Sequence, residues 1–243
     1  QVYVSTVPAV STYSLRQGSL DMGATASNQI VIWEQLGDSK SLVLTYNNTS
    51  LYTWGFLDLE KDGPTVVEAP PDVLGVFDDG YMRYLSDFGA AGPDKGKGGK
   101  YLLLPPGYAG EVPEGYFVLR SPTYGNLFFW RGFLDNGSTK TAVENTKKFH
   151  KVYLLSEAGN PPPMKFINVS GKAFNTIHAN DFKFYEEVNA IVQYEPNEAL
   201  NPETLGLLAA IGIEKGKKFE PDARMKKILT EAVAVGNATA RAL

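Results

Sequence analysis

The sequence predicts an α+β protein: an antiparallel β-sandwich domain with an N-terminal helix over residues 1–170, then a small helical domain over 171–243. Two observations lead there. In KYLLLPPGYAGEVPEGYFVLRSPTYGNLFFWRGFL, residues 100–134, three apolar runs (101–104, 116–119 and 127–133) are separated by joints rich in Pro and Gly. Short apolar runs bounded in this way read as strands joined by turns. From Asn180 onward the apolar residues instead recur at spacings near 3.6, and the change falls at 165–175.

Taken in order, residues 1–17 place Val2, Tyr3, Val7, Val10 and Tyr13 near helical spacing, with Pro8 expected to kink or restart the helix. Residues 18–28 are small and polar, a loop, and IVIWEQL (30–36) suits strand or helix alike. SLVLTY (41–46) has β-forming content, Asn47–Ser50 turns the chain, and LYTWGFLDL (51–59) follows as a strand. Its alternation sets Tyr52, Trp54, Phe56 and Asp58 on one face. KDGP (61–64) is a turn, and strands are predicted at 66–69 and from Val73. GPDKGKGGK (92–100) lacks the spacing of a phosphate loop and reads as a mobile hairpin loop. Residues 141–155 have helical spacing, 160–163 form a Pro-rich linker, and 164–169 make a last strand. Three helices follow, the first capped by Asp181, the second opened by Pro202-Glu203 and the third started by Asp222.

Composition removes several functions. The 23 basic and 27 acidic residues leave a net charge of −4 with no basic face, which argues against nucleic acid. With no cysteine and two histidines, thiolate metal sites, cysteine nucleophiles and a three-histidine zinc site are ruled out, and no metal or cofactor is expected. No apolar window approaches ~18 residues, so no membrane span is predicted. Both ends suggest a piece of a longer chain. The sequence names no compartment, a periplasmic or secreted one being slightly favoured over the cytoplasm.

The segments TYNNTSLYTWGFLDLEKDGPTVVEAPP, DDGYMRYLSDFG, GPDKGKGGKYLLLPPGY and NPPPMKFINVSGKAFNTIHANDFKFYEEV resemble the family called domain of unknown function 1254. That resemblance implies a jelly-roll-like sandwich, a helical middle part and a bacterial-like, uncharacterised protein. It also implies a C-terminal second sandwich module, domain of unknown function 1214, in the full-length chain. Relatives commonly carry T-P-N-x-D-x-x-Y. Thr45, Asn47 and Tyr52 match it, whereas Tyr46 and Thr49 replace the Pro and the Asp. A catalytic role for that Asp in relatives would be impaired here.

Candidate site residues are Arg131, Tyr52, Asn47, His178 and Asp181. Arg131 lies inside LFFWRGF, so it needs an acid such as Asp58 or Glu68, or else lines a pocket and recognises an anion. His178, in NTIHANDF, could be a base held by Asp181, or a packing group. Asp78-Asp79 read as solvated turn acids. Two functions remain open. One is a binding or assembly module, homo-oligomer included. The other is a hydrolase or lyase acting on a small or carbohydrate-like substrate with Arg131, Tyr52 and His178.

Overall fold

The computed structural model describes residues 1–43 and 46–242. Helix α1 (Val2–Asp21) is followed by β1 (Gln29–Ile32), β2 (Ser41–Leu42), β3 (Leu51–Asp58), the single turn α2 (Leu59–Asp62), β4 (Thr65–Ala69), β5 (Val73–Asp79) and β6 (Tyr84–Gly89). Then come β7 (Gly99–Leu104), β8 (Phe117–Arg120), β9 (Gly125–Gly132), α3 (Lys140–Phe149), β10 (Lys151–Leu154), β11 (Lys165–Asn168) and β12 (Phe174–Asn175). Three helices end the chain: α4 (Lys183–Tyr194), α5 (Pro202–Ala209) and α6 (Ala223–Ala242). The fold class is α+β. The strand predicted over 41–46 is described as β2 at its start, and Leu44 and Thr45 lie outside the described residues.

Six strands pair in the order β11-β1-β3-β9-β5-β6 and four in the order β10-β4-β7-β8, with a small β12-β2 pair beside them. The three runs of residues 100–134 therefore do not form one sheet: β7 and β8 belong to the second, β9 to the first. Nor is the pairing wholly antiparallel, since β7 and β8 run parallel, as do β1 with β11 and β2 with β12. The 105–116 segment explains the first case. A parallel return needs a connection of about a dozen residues, and its Pro and Gly prevent the tight hairpin that would have reversed the strand.

Alternation along β3 and β9 sorts side chains between two cores. Leu57, Phe128 and Trp130 point toward the four-stranded sheet and meet Val67, Tyr101, Leu103 and Val152 there. Trp54 and Leu127 point the other way, joining Leu15 of α1, Trp33 and Phe174. A third core is helical and holds Tyr3, Ala9 and Val10 of α1 against Phe184, Val188 and Val192 of α4 and Leu229 and Val233 of α6. The N-terminal helix thus packs on the C-terminal helices as well as over the six-stranded sheet.

Three local expectations are corrected. α1 runs through Pro8, which sits on the solvent face, where water can reach the carbonyl its missing N–H leaves free. The predicted helix at 141–155 ends at Phe149. The extended backbone at His150 lets Val152 and Tyr153 alternate into the ladder with β4. The 92–100 loop is tied down rather than loose. Buried Asp94 accepts hydrogen bonds from Gly89 N (2.7 Å), Gly98 N (3.0 Å) and Tyr101 Oη (2.7 Å). An amide at this position turns one acceptor into a donor facing an N–H or hydroxyl. Asp94→Asn is therefore expected to cost about 1–3 kcal/mol, read from the denaturant midpoint.

Candidate functional site

The outer face of the six-stranded sheet carries the candidate site. Tyr52 on β3 lies directly across from Arg131 on β9, and this cross-strand register brings the two side chains together. The Arg131 Cζ sits 5.4 Å from the centre of the Tyr52 ring, a cation–π contact. Asn47 Nδ2 donates to the Tyr52 hydroxyl at 2.8 Å, while its Oδ1 accepts from Thr49 N at 3.0 Å and from Ser50 Oγ at 3.1 Å. The turn at 47–50 therefore fixes Tyr52 from its polar end. The Tyr46 ring packs 4.7 Å from that of Tyr52, and Trp33 continues the row to Trp54 at 4.6 Å. Burial, with Tyr52 and Asp38 nearby, pushes the Tyr46 hydroxyl well above the usual tyrosine range.

Beneath Arg131 opens a cleft of about 130 Å³. Tyr52 and Trp54 of β3 and Leu127 and Phe129 of β9 form its floor, and Leu15 of α1 and Met82 of the β5–β6 turn wall it. Trp54 Nε1 is already committed to Ser19 Oγ of α1 (3.0 Å), which orients the indole. Met82 holds φ at +58°, a left-handed conformation that costs a non-glycine residue about 1–2 kcal/mol. Asp79 imposes it by accepting from Tyr81 N (2.8 Å) and Arg83 N (3.0 Å) on either side.

Arg131 does not pair with the acids expected of it. Asp58 is held by Arg16 (3.3 Å) and the Tyr194 hydroxyl (2.5 Å), and Glu68 by the Tyr153 hydroxyl (2.8 Å) and Lys100 (3.6 Å). Among the described residues no carboxylate lies within ion-pair distance of Arg131. Tyr52, Arg131 and Asn47 are thus brought together, while His178 and Asp181 stand apart from them at the start of α4. His178 Nδ1 bonds Ala179 O (2.9 Å), and its ring packs on Phe184 and Tyr3. Asp181 Oδ1 accepts from Lys183 N at 2.9 Å, an N-terminal turn of α4 that leaves its carboxylate exposed. Among the described residues no group of three or more His, Asp or Glu is placed to hold a metal ion, and no helix is long and apolar enough to cross a membrane.

Sequence reasoning missed a second polar cluster, where α4 meets the sheet. Glu195 is 3% exposed, and its carboxylate accepts from Tyr124 N (2.6 Å) and Gly125 N (3.0 Å). Asp79, expected to be solvated, is 1% exposed and receives Arg83 Nε at 2.7 Å, while Arg83 Nη1 reaches Ala199 O at 2.7 Å. Burial, reinforced by Asp79 and Asp87, pushes its neighbour Asp78 up to about 6. A lone Glu before Pro196 carried no signal of this. The alternation that buries Asp79 could have been counted along VLGVFDD.

The family described as Protein of unknown function (DUF1254) matches residues 27–154. The crystal structure of the VPA0106 protein from Vibrio parahaemolyticus superposes with a TM-score of 0.58 at 18% identity, over 97% of this chain and 58% of that one. This likeness is one of fold, and the chain spans 58% of the length of the Vibrio protein. An uncharacterized protein from Burkholderia cenocepacia gives a TM-score of 0.35 at 12% identity, over 66% of this chain and 43% of that one. No curated protein matches the sequence.

Proposed function

The chain belongs to the DUF1254 family, whose description assigns no activity, so we propose its function from the cleft itself: a binding module that takes a small ligand on the outer face of the six-stranded sheet. The observation that carries this reading is Arg131, a half-buried cation with no acid beside it among the described residues, set over an aromatic floor. Concave, mostly apolar sites with a few placed polar groups are what small-molecule pockets look like. A hydrolytic or lyase site would need an acid or base facing the same space. Among the described residues neither a carboxylate nor an imidazole lines this cleft, so the binding reading is preferred.

Several further features belong to this reading. The sheets, with the N-terminal helix, are taken as a jelly-roll-like sandwich domain over residues 1–170, and residues 171–243 as a helical domain. The second module that the family resemblance implies after the helical part is taken as the partner of this chain.

Methyl-observed NMR tests the cleft. With Leu15, Met82 and Leu127 labelled, small aromatic probes are expected to shift these three signals and leave those of the inter-sheet core unmoved. Silence of all three toward every probe would defeat the reading. Arg131→Met should at the same time change stability by no more than about 1 kcal/mol, because no ion pair is lost. A fall of about 3–5 kcal/mol in thermal unfolding would instead mark a buried pair and a structural role.

A further inference from the structure

We propose that the ligand of this cleft is a monocarboxylate carrying one ring or a short apolar tail, an inference that rests on the binding reading above. Charge argues first. Arg131 is the one cation that lines the cleft among the described residues, and no acid answers it there. A half-buried guanidinium beside apolar walls is incompletely hydrated, so an anion that reaches it recovers what water cannot supply. One positive charge balances one negative charge, which favours a carboxylate over a phosphate dianion.

Shape comes next. The guanidinium is a planar fork that meets a carboxylate through two parallel N–H···O bonds, and the Tyr52 ring beneath it limits the directions from which an anion can approach. The chemistry of the lining then sets the remainder of the ligand. Leu15, Met82, Leu127 and Phe129 offer no hydrogen-bonding partner beyond the weak thioether, and the Trp54 N–H is spent on Ser19. The hydroxyls of a sugar would go unpaired against such walls, a cost an apolar group avoids. Size closes the argument. A cavity of about 150 Å³ accepts benzene, so about 130 Å³ suits one ring or a chain of a few carbons.

The Met82 conformation fits the same occupant. A residue held at φ +58° by Asp79 presents its side chain to the cleft before any ligand arrives, and the wall needs no rearrangement to receive one.

Calorimetric titration of the full chain with benzoate, hexanoate and benzyl alcohol decides the matter, with the Leu15, Met82 and Leu127 methyl signals reporting the location. Benzoate is expected to bind about tenfold or more tightly than benzyl alcohol, because only the carboxylate forms charge-assisted bonds. Its affinity should fall with added salt, whereas that of the alcohol should not. Arg131→Met should abolish the preference for benzoate over the alcohol, bringing the two to the same level. Equal binding of benzoate and benzyl alcohol by the wild-type protein overturns the carboxylate assignment but leaves a binding cleft. Binding of neither, with silent methyl signals, overturns both. The wild-type comparison and its salt dependence stand whether or not the variant folds.

Discussion

Glu195→Ala is expected to lower stability by roughly 2–5 kcal/mol, because it takes from the N–H groups of Tyr124 and Gly125 the buried carboxyl that accepts from both. Chemical denaturation measures this directly, and a loss under about 1 kcal/mol would mean that the two donors find other partners. The same carboxyl makes stability depend on pH. Burial pushes it up to about 7, outweighing the two backbone donors that act in the opposite direction. The unfolded chain gives up this proton near pH 4.3. Between those values the folded state holds the extra proton. Stabilisation is therefore complete below about pH 4.3 and lost as the pH rises through about 7, amounting to ~4 kcal/mol. His150 acts with the opposite sign. Full burial pushes it down to about 3, so its contribution is present above about 6.5 and fades as the pH falls. His150 and Asp78 are common to the wild type and to Glu195→Gln, so their effects cancel in the difference between the two. The advantage of the wild type over that variant should shrink from pH 4.5 to 8, and parallel stability curves would refute the assignment.

Phe128→Ala should cost about 3–5 kcal/mol, since its fully buried ring packs against Trp130, Phe77 and His150 in the core between the sheets. Its cross-strand partner, Gly55, carries the complementary constraint. A Cβ at Gly55 would sit 2.5 Å from Phe128 Cζ and 2.8 Å from Ile30 Cγ2. Gly55→Ala alone is thus expected to destabilise by about 1–3 kcal/mol. In the Phe128→Ala background the added methyl enters vacated space, so the double variant should be more stable than the sum of the single losses predicts. A double-mutant cycle measures this coupling, and strict additivity would show that the two positions do not share one space.

Periodicity makes most elements readable from the sequence. β3, β9, α4 and α6 follow their apolar spacing, and alternation alone placed Arg131 on the face of Phe129 rather than that of Trp130. The pairing of strands was harder to read, because two apolar runs joined by Pro and Gly look alike whether the chain turns back or crosses over. β7 and β8 are such a case. At 150–154 a 3.6-residue and a 2-residue period overlap for a few positions, and only the ladder with β4 settles the matter. Of the candidate site, Tyr52 and Arg131 stand out as polar groups inside apolar runs, and Asn47 only through the motif of the resembling family. Glu195 could not. Its importance comes from backbone groups 70 residues away, and no side-chain pattern records where an N–H will lie.

Helix α1 has a consequence for how the protein is made. Leu15 walls the cleft, yet the other side of the helix docks on α4 and α6, where Asn237 Nδ2 donates to the Tyr3 hydroxyl across 234 residues of sequence. Helix α1 must therefore wait about 160 residues for α4 (183 − 21), roughly ten to thirty seconds at typical synthesis rates. Closing so large a loop makes the docking of α1 on these helices a late event. The cleft is in this sense completed by helices that follow both sheets in sequence, although none of their described side chains lines it.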